Sequence, residues 1–383
     1  MFDDRDRPGA TGAPAASEER VELRVVDRIE DFEAAREEWD ELLASSPARS
    51  FFLSWAWLYS WWRELSNAAQ LCILEAREDG RLCAAAPLML RRALYYRAPV
   101  RELTFIGDQT SDRQDLIWRS GRETSLTALW RRLAGNPFEV TLLRLDQIPE
   151  GSRSLVVGRA VAPDLEVEPS SVLNYLSITG SFEDYEKVLS SRFRTDLRSR
   201  LRKLGARGAW EVRHAMNSDT LALLDEVVAL EERSDKQHRG TAFLTHPRRL
   251  AFIRRVIESA GPRHDVLLSS LLVGGRLAGY SLGFIYGGVY HGFSTAYDPE
   301  FHTLAPGKII IHETLRHAFQ LGLDGFDFLR GGAALKSRWR GDARCNVRAV
   351  LFFAGLRGAA LRFAVFRARP AIKRLLARPG KES

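Results

Sequence analysis

Apolar residues recur at helical spacing over 29–43, where Phe32, Ala35, Trp39 and Leu42 share one face. An apolar-aromatic run over 51–65, carrying Trp55, Trp57, Tyr59, Trp61 and Trp62, predicts a second helix that serves as core. Strand-like runs follow over 71–76 and 83–90, the second after an Asp79-Gly80 turn signal. Thr104 to Asp108 reads as a short strand entering a turn, and 114–118 as another strand. A helix over 123–134 and a strand over 139–145 complete the first half.

The second half repeats that order. Residues 182–204 predict one strongly basic helix, with Phe193, Leu197, Leu201 and Leu204 as its apolar stripe. A short strand over 209–213 precedes helices over 221–233 and 247–259. Strands over 265–273 and 276–285 are joined by Gly274-Gly275, a two-residue hairpin signal. A third strand spans 289–296, then a helix 308–321, and strands over 325–329 and 347–353. Residues 162–171, rich in Pro, Ser and acids, read as a linker. Two similar α/β halves without residue-level repetition point to a duplicated domain. The helix-first order with a central antiparallel meander argues against a doubly wound nucleotide fold, in which strand and helix alternate.

Composition changes this picture only at the ends. The 383 residues are 45% hydrophobic and 27% charged, as in ordinary globular chains of two domains. Cys72, Cys83 and Cys345 are widely spaced, which argues for a reducing compartment and against structural zinc. The polar stretch 1–20 reads as a disordered leader, and no apolar run is long enough to span a bilayer. The formal net charge of +7 equals that of 356–383 alone, where eight Lys and Arg stand against Glu382. A neutral body argues against a nucleic-acid partner, whereas the tail predicts a basic amphipathic segment for the surface of an anionic membrane. The expected localisation is cytoplasmic, peripheral at the inner face of the membrane.

Two features carry candidate chemistry. Leu304-Ala305-Pro306-Gly307-Lys308 opens a helix, and a glycine there leaves backbone N–H groups to meet a phosphate. Gly325-Phe326-Asp327-Phe328-Leu329-Arg330-Gly331-Gly332 is a buried-looking strand ending on an acid, then a turn, with Lys336 and Trp339 beyond. Together they read as an acyl-transfer site, with a phosphate-bearing donor on the helix and a cation beside the reacting carbonyl.

These residues, with Phe52-Leu53-Ser54-Trp55-Ala56-Trp57, Phe193-Arg194-Thr195-Asp196-Leu197-Arg198 and Gly240-Thr241-Ala242, resemble the CelD/BcsL family of acyltransferases. That family lies in the Gcn5-related N-acetyltransferase (GNAT) superfamily, near the FemAB peptidoglycan-bridge enzymes. The resemblance implies two tandem GNAT-like domains, each a mixed, mainly antiparallel sheet flanked by helices, over 21–165 and 172–355. It implies acyl-CoA as donor, held by Pro306, Gly307, Lys308 and Ile309, and no metal. The acceptor would be an amine or hydroxyl of an envelope or exopolysaccharide (cellulose-type) precursor. The superfamily's Gln or Arg followed by spaced glycines is absent here, so aminoacyl-tRNA, the FemAB donor, stands as the alternative. A catalytically inactive fold that binds polysaccharide machinery is the other alternative.

By resemblance to FemAB enzymes Lys336 sits at the reacting carbonyl, although Leu335 stands where they usually have an aromatic residue. Asp327 is a general base or an orienting partner of Arg330. Glu231 and Glu232 end a helix, and Glu232 is carried as the carboxylate that activates the acceptor. His291, mid-strand, has an ordinary pKa suited to a base. Tyr297, Asp298 and Arg330, with Asp108 from the first half, are expected to line the acceptor cleft. The arginines of the basic helix would face an anionic ligand or simply solvent.

Overall fold

The computed structural model describes residues 21–331, 336–353 and 355–363. The leader 1–20 and the basic tail from 364 onward lie outside the described residues, as does Leu335. The first half contains β1 (Glu22–Val26), α1 (Ile29–Ala34), α2 (Arg36–Ala44), α3 (Trp55–Leu65), β2 (Gln70–Leu71), β3 (Ile73–Glu78) and β4 (Arg81–Ala86). It continues through β5 (Leu88–Tyr95), β6 (Ala98–Phe105), β7 (Ile117–Trp118), α4 (Glu123–Ala134), β8 (Leu142–Pro149) and α5 (Arg153–Val161). Next come β9 (Glu166–Ser177), α6 (Phe182–Val188), α7 (Ser191–Ala206), β10 (Trp210–Met216), α8 (Leu224–Arg233), α9 (Asp235–His238) and α10 (Pro247–Glu258). The meander β11 (His264–Val273), β12 (Arg276–Tyr286) and β13 (Val289–Tyr297) leads to α11 (Pro306–Gln320), β14 (Gly325–Asp327) and β15 (Asp342–Phe352). A helix over Leu356–Phe363 closes the described chain.

One sheet of 11 strands runs through both halves, in the order β10-β11-β12-β13-β14-β9-β15-β8-β6-β5-β2. A smaller sheet, β1-β3-β4-β7, stands beside it. The run expected as one strand over 83–90 is two strands, one in each sheet. Pro87 lies between them, and proline has no N–H to give a ladder. The expected linker over 162–171 is largely strand. Residues from Glu166 onward form β9, which pairs along most of β15. Pro169 is accommodated at a register shift against Asn346 and Val347, and Glu168 pairs with Arg348 at 3.1 Å. The acids that signalled a solvated linker are therefore ion-pair partners within a central strand.

The tryptophan helix α3 starts on Ser54, whose hydroxyl accepts the Trp57 amide hydrogen at 3.2 Å. Trp57 packs edge-on against Phe252 of α10, Phe284 of β12 and Phe293 of β13. Thus α3 fills the core of the second half together with α8 and α10. On the opposite face of the sheet, α7 and α11 cover Leu267, Leu271 and Tyr290. The single basic helix expected over 182–204 is broken: Leu189 leaves the helix and Ser190 caps α7 through the Phe193 amide at 3.2 Å. Arg362, near the end of the closing helix, pairs with Asp164 and Glu166 and ties that helix to the segment that leads into β9. Among the described residues, no helix is long and apolar enough to cross a membrane, and no group of three His, Cys, Asp or Glu could hold a metal ion.

Candidate active site

Strands β13 and β14 are parallel neighbours over three registers only: Val289 with Gly325, Tyr290 with Phe326, His291 with Asp327. Beyond them β13 continues to Tyr297 while β14 turns away at Phe328, so a wedge opens between them. A register shift against β12 places Phe293 in a bulge. A bulge leaves an extra residue outside the ladder and re-aims the side chains that follow. Before it Tyr290 packs toward α11; after it Ser294 points to α8, where its hydroxyl meets Glu231 at 3.2 Å.

The turn after β14 forms the other wall. Phe328 joins Phe193 and Trp339 on the α7 and α11 face, whereas Leu329 enters the core on the α3 face. Leu329 has φ +54°, a left-handed conformation costly for a leucine, and the surroundings hold it there. Asp327 Oδ1 accepts the Leu329 amide hydrogen at 2.9 Å and Asp112 Oδ2 that of Arg330 at 3.0 Å. The Arg330 guanidinium also bonds Asp112 and the Gln109 carbonyl. The Lys336 ammonium donates to the carbonyls of Phe328, Leu329 (3.0 Å) and Arg330 (2.5 Å). Lys336 therefore clamps the turn with all its donors. Burial, opposed by Asp112 and Asp327, pulls its pKa down to about 8.

Asp327 is buried, with Arg113 Nη1 at 3.9 Å from Oδ2, and burial raises its pKa. His291 is neighbour to Asp327 but does not have the near-neutral pKa expected of it. Burial, reinforced by Arg113, depresses it to about 3, so at pH 7 the ring is neutral and a weak base. Glu232 is exposed at the end of α8, while its neighbour Glu231 is fully buried. Glu231 accepts from the Leu244 amide at 2.7 Å, Tyr280 Oη at 2.5 Å and Ser294 Oγ. Lys236 Nζ donates to Ser294 Oγ at 3.1 Å, and burial lowers its pKa against the pull of Glu231. The helical stripe Leu224, Val227, Leu230 already points to Glu231 as the inward carboxylate.

The donor-side expectations divide similarly. α11 begins on Ala305 in a left-handed conformation (φ 56°) without a side-chain cap. Pro306 and Ile309 are buried in packing and present no side chain to a ligand. Gly307 lies beside the Tyr297 ring, where an added Cβ would stand 3.2 Å from Cδ1. Lys308 pairs with Asp196 and stands over the Phe193 ring at 4.9 Å. A groove of about 620 Å3 opens here, lined by Ser190, Arg192, Phe193, Asp196, Lys308, Ser337, Arg338 and Arg340. The break before α7 brings a second helix start to the same groove, and basic side chains outnumber its one acid. These residues fit a phosphate-bearing donor.

Asp108 is elsewhere. It pairs with Arg91 at 2.6 Å in a chain of ion pairs through Glu102, Arg144 and Asp146, away from the turn. Its loop reaches the site through Gln109 and Asp112. Asp298 is buried and caps the turn at Pro299 through the Glu300 amide at 3.0 Å while pairing with Arg233 at 3.2 Å, which is structural work. Asp112, Arg113 and Lys236 were missed because each takes its meaning from a partner distant in sequence, and Glu231 was named but passed over for its exposed neighbour Glu232.

Residues 191–337 match the family model described as an acetyltransferase (GNAT) domain. The chain is an acyltransferase, built as tandem GNAT-like units with mixed, mainly antiparallel sheets flanked by helices. No curated protein matches it. Among solved structures it is similar to FemX, at 10% identity and TM-score 0.59 over 86% of this chain and 98% of that one. It is similar to the C-terminal domain of a candidate lysylphosphatidylglycerol synthetase from Agrobacterium fabrum, at 11% identity, TM-score 0.56, 88% of this chain and 96% of that one. L-PGS from Bacillus licheniformis is a third, at 9% identity, TM-score 0.52, 88% and 96%. At such identities the likeness is one of fold alone; the GNAT assignment rests on the match over 191–337, and nothing found reaches the CelD/BcsL family.

Proposed function

We propose that the protein moves an acyl group from acyl-CoA to an amine or hydroxyl of an envelope or exopolysaccharide precursor. The observation that carries this reading is the wedge between β13 and β14, with the basic groove at α7 and α11 on one face and the Glu231 cluster on the other. The CoA phosphates would rest at the start of α11 on the Gly307 amide, since the Lys308 amide already donates to the Ala305 carbonyl at 3.0 Å, with the Lys308, Arg192 and Arg338 side chains supplying charge. The thioester carbonyl would lie in the wedge, where the backbone around the bulged Phe293 has amides free of a ladder. Such N–H groups stabilise the developing oxyanion without the cost of desolvating a free charge at the moment of reaction.

Lys336 then acts as a positioning residue, since its donors already hold the turn. The acceptor, entering on the α3 face, would lose its proton through the Ser294 hydroxyl to the Glu231 carboxylate as general base, with Lys236 orienting Ser294. Attack on the thioester carbon forms the new amide or ester bond and expels CoA thiolate, which takes up the proton. The basic tail would add contact with an anionic membrane, tested by co-sedimentation with anionic liposomes against a chain ending at residue 355.

The reading is tested by calorimetric titration with acetyl-CoA, longer acyl-CoAs and charged tRNA. We expect an acyl-CoA to bind and Lys308→Ala to weaken it about tenfold or more, as for the loss of a charged hydrogen bond. Binding of charged tRNA alone would overturn the CoA assignment in favour of a FemAB-like donor. Binding of neither would overturn the enzyme reading of the groove.

A further inference from the structure

A second, smaller cavity of about 230 Å3 opens on the α3 face, between the two halves of the chain. His291 and Asp327, adjacent in the sheet, form its buried floor. Arg49 and Arg344 are exposed at its rim, and Arg113 lies between rim and floor. The Arg344 guanidinium rests 3.2 Å from the Tyr175 ring centroid. That stacking orients the planar group and leaves its in-plane N–H donors to another acceptor.

The cavity's polar groups are poorly matched to one another. Arg113 faces Asp327 at 3.9 Å, beyond hydrogen-bonding range. Asp327 gives its other oxygen to the Leu329 amide. His291 Nδ1 is buried without a hydrogen-bond partner, and such groups are rare enough in native structures to call for an explanation. Three guanidinium groups and an orphaned imidazole nitrogen thus surround one carboxylate that is already committed.

Chemistry narrows the occupant. A cation is repelled by three arginines, and a neutral glycan hydroxyl leaves most of their donors unmatched. A carboxylate or phosphate group accepts from a guanidinium fork in the plane where its N–H groups lie. The volume suits such a group with a few attached atoms and is below that of pockets for larger ligands.

We propose that this cavity binds the anionic end, carboxylate or phosphate, of the acceptor, through Arg113, Arg49, Arg344 and His291. The assignment rests on the reading that the acceptor enters on the α3 face, opposite the donor groove. The anion completes the hydrogen bonding of His291 and anchors the acceptor beside Asp327, one strand register from the wedge. Acceptors that carry the nucleophile but lack the anion are poor substrates.

The test uses the full chain with inorganic phosphate and acetate as probes, reading the His291 imidazole resonances, assigned with His291→Gln. Both the parent and Arg338→Gln, altered in the donor groove, should show saturable shifts of His291. Arg49→Gln and Arg344→Gln, at exposed positions that spare the fold, should each weaken the response about tenfold, and the double variant should lose it. Stronger shifts with phosphate would make the acceptor a phosphate ester, and stronger shifts with acetate a carboxylic acid. Unmoved His291 resonances with both anions, or equal shifts in the double variant, overturn the proposal. Calorimetry with acyl-CoA on the same samples separates the two ideas. CoA binding with a silent His291 sinks this cavity alone, whereas His291 shifts without CoA binding sink the donor reading and leave the cavity standing.

Discussion

Replacing Glu231 by Gln tests the cluster behind the wedge. The carboxylate is fully buried and accepts from one backbone amide and two hydroxyls. In the Gln variant one oxygen becomes an NH2 donor. The Leu244 amide can only donate, so the remaining oxygen must stay with it. Tyr280 and Ser294 can reverse their hydroxyls and accept instead. Every contact can therefore persist, but as neutral hydrogen bonds worth roughly half the charged ones. Lys236 also loses the carboxylate that opposes its burial. The expected cost is about 1–3 kcal/mol, the scale of one charge-assisted bond. Glu231→Ala strands all these partners and should cost about 3–5 kcal/mol. Glu232→Gln, on the exposed side, should stay within about 0.5 kcal/mol. Urea unfolding measures the stabilities, and release of free thiol from acyl-CoA measures turnover. Turnover should fall about a hundredfold or more in Glu231→Gln, as for loss of base catalysis. If Glu231→Gln turned over normally while Glu232→Gln did not, the inward-facing network would be irrelevant to transfer.

Further outcomes follow from other buried groups. Lys336→Met should lower kcat about a hundredfold with donor affinity little changed, because the three turn carbonyls lose their shared donor; normal turnover would show that the turn needs no clamp. Asp115 is buried and its pKa is pushed up to about 7, chiefly by desolvation. Its folded pKa exceeds the unfolded one, so its contribution is present at low pH and is lost as pH rises from about 4 to 7. Asp115→Asn should therefore lose less stability than the parent between pH 5 and 8, read by urea midpoints; identical slopes would contradict the shift. Gly325→Ala would put a Cβ 2.0 Å from the Tyr175 hydroxyl oxygen and should destabilise by about 1–3 kcal/mol, checked by the same unfolding curves.

Helices and meander strands were legible because their apolar periods are local. The α10 stripe and the Gly274-Gly275 hairpin, with φ 57° and 77°, required no distant partner to be recognised. The hairpin of β5 and β6 was harder, since Tyr96 and Arg97 take φ 48° and 70° without glycine. β9 was missed because its charged positions look solvated until β15 supplies Arg348. The donor helix start and the Asp327 turn were readable as motifs. What they do was not, since Lys336 is spent on carbonyls that no spacing reveals, and His291 meets its buried surroundings only through the parallel pairing with β14. Asp112 and Arg113 act across more than half the chain, beyond any local pattern.

The crossing of β15 into the first half bears on how the chain is made. Val347, Ala349, Leu351 and Phe353 fill the same apolar cluster as Leu74, Leu129 and Trp130. Arg348 meets Asp146 across 202 positions of sequence. During synthesis the first half leaves the ribosome long before the strand that completes it, with the β8 edge open and its core unsealed. Closing that contact is slow because the intervening chain must first be drawn in. The half translated first is thus the half finished last, and until β15 arrives its open strand edge is exposed to pairing with another chain.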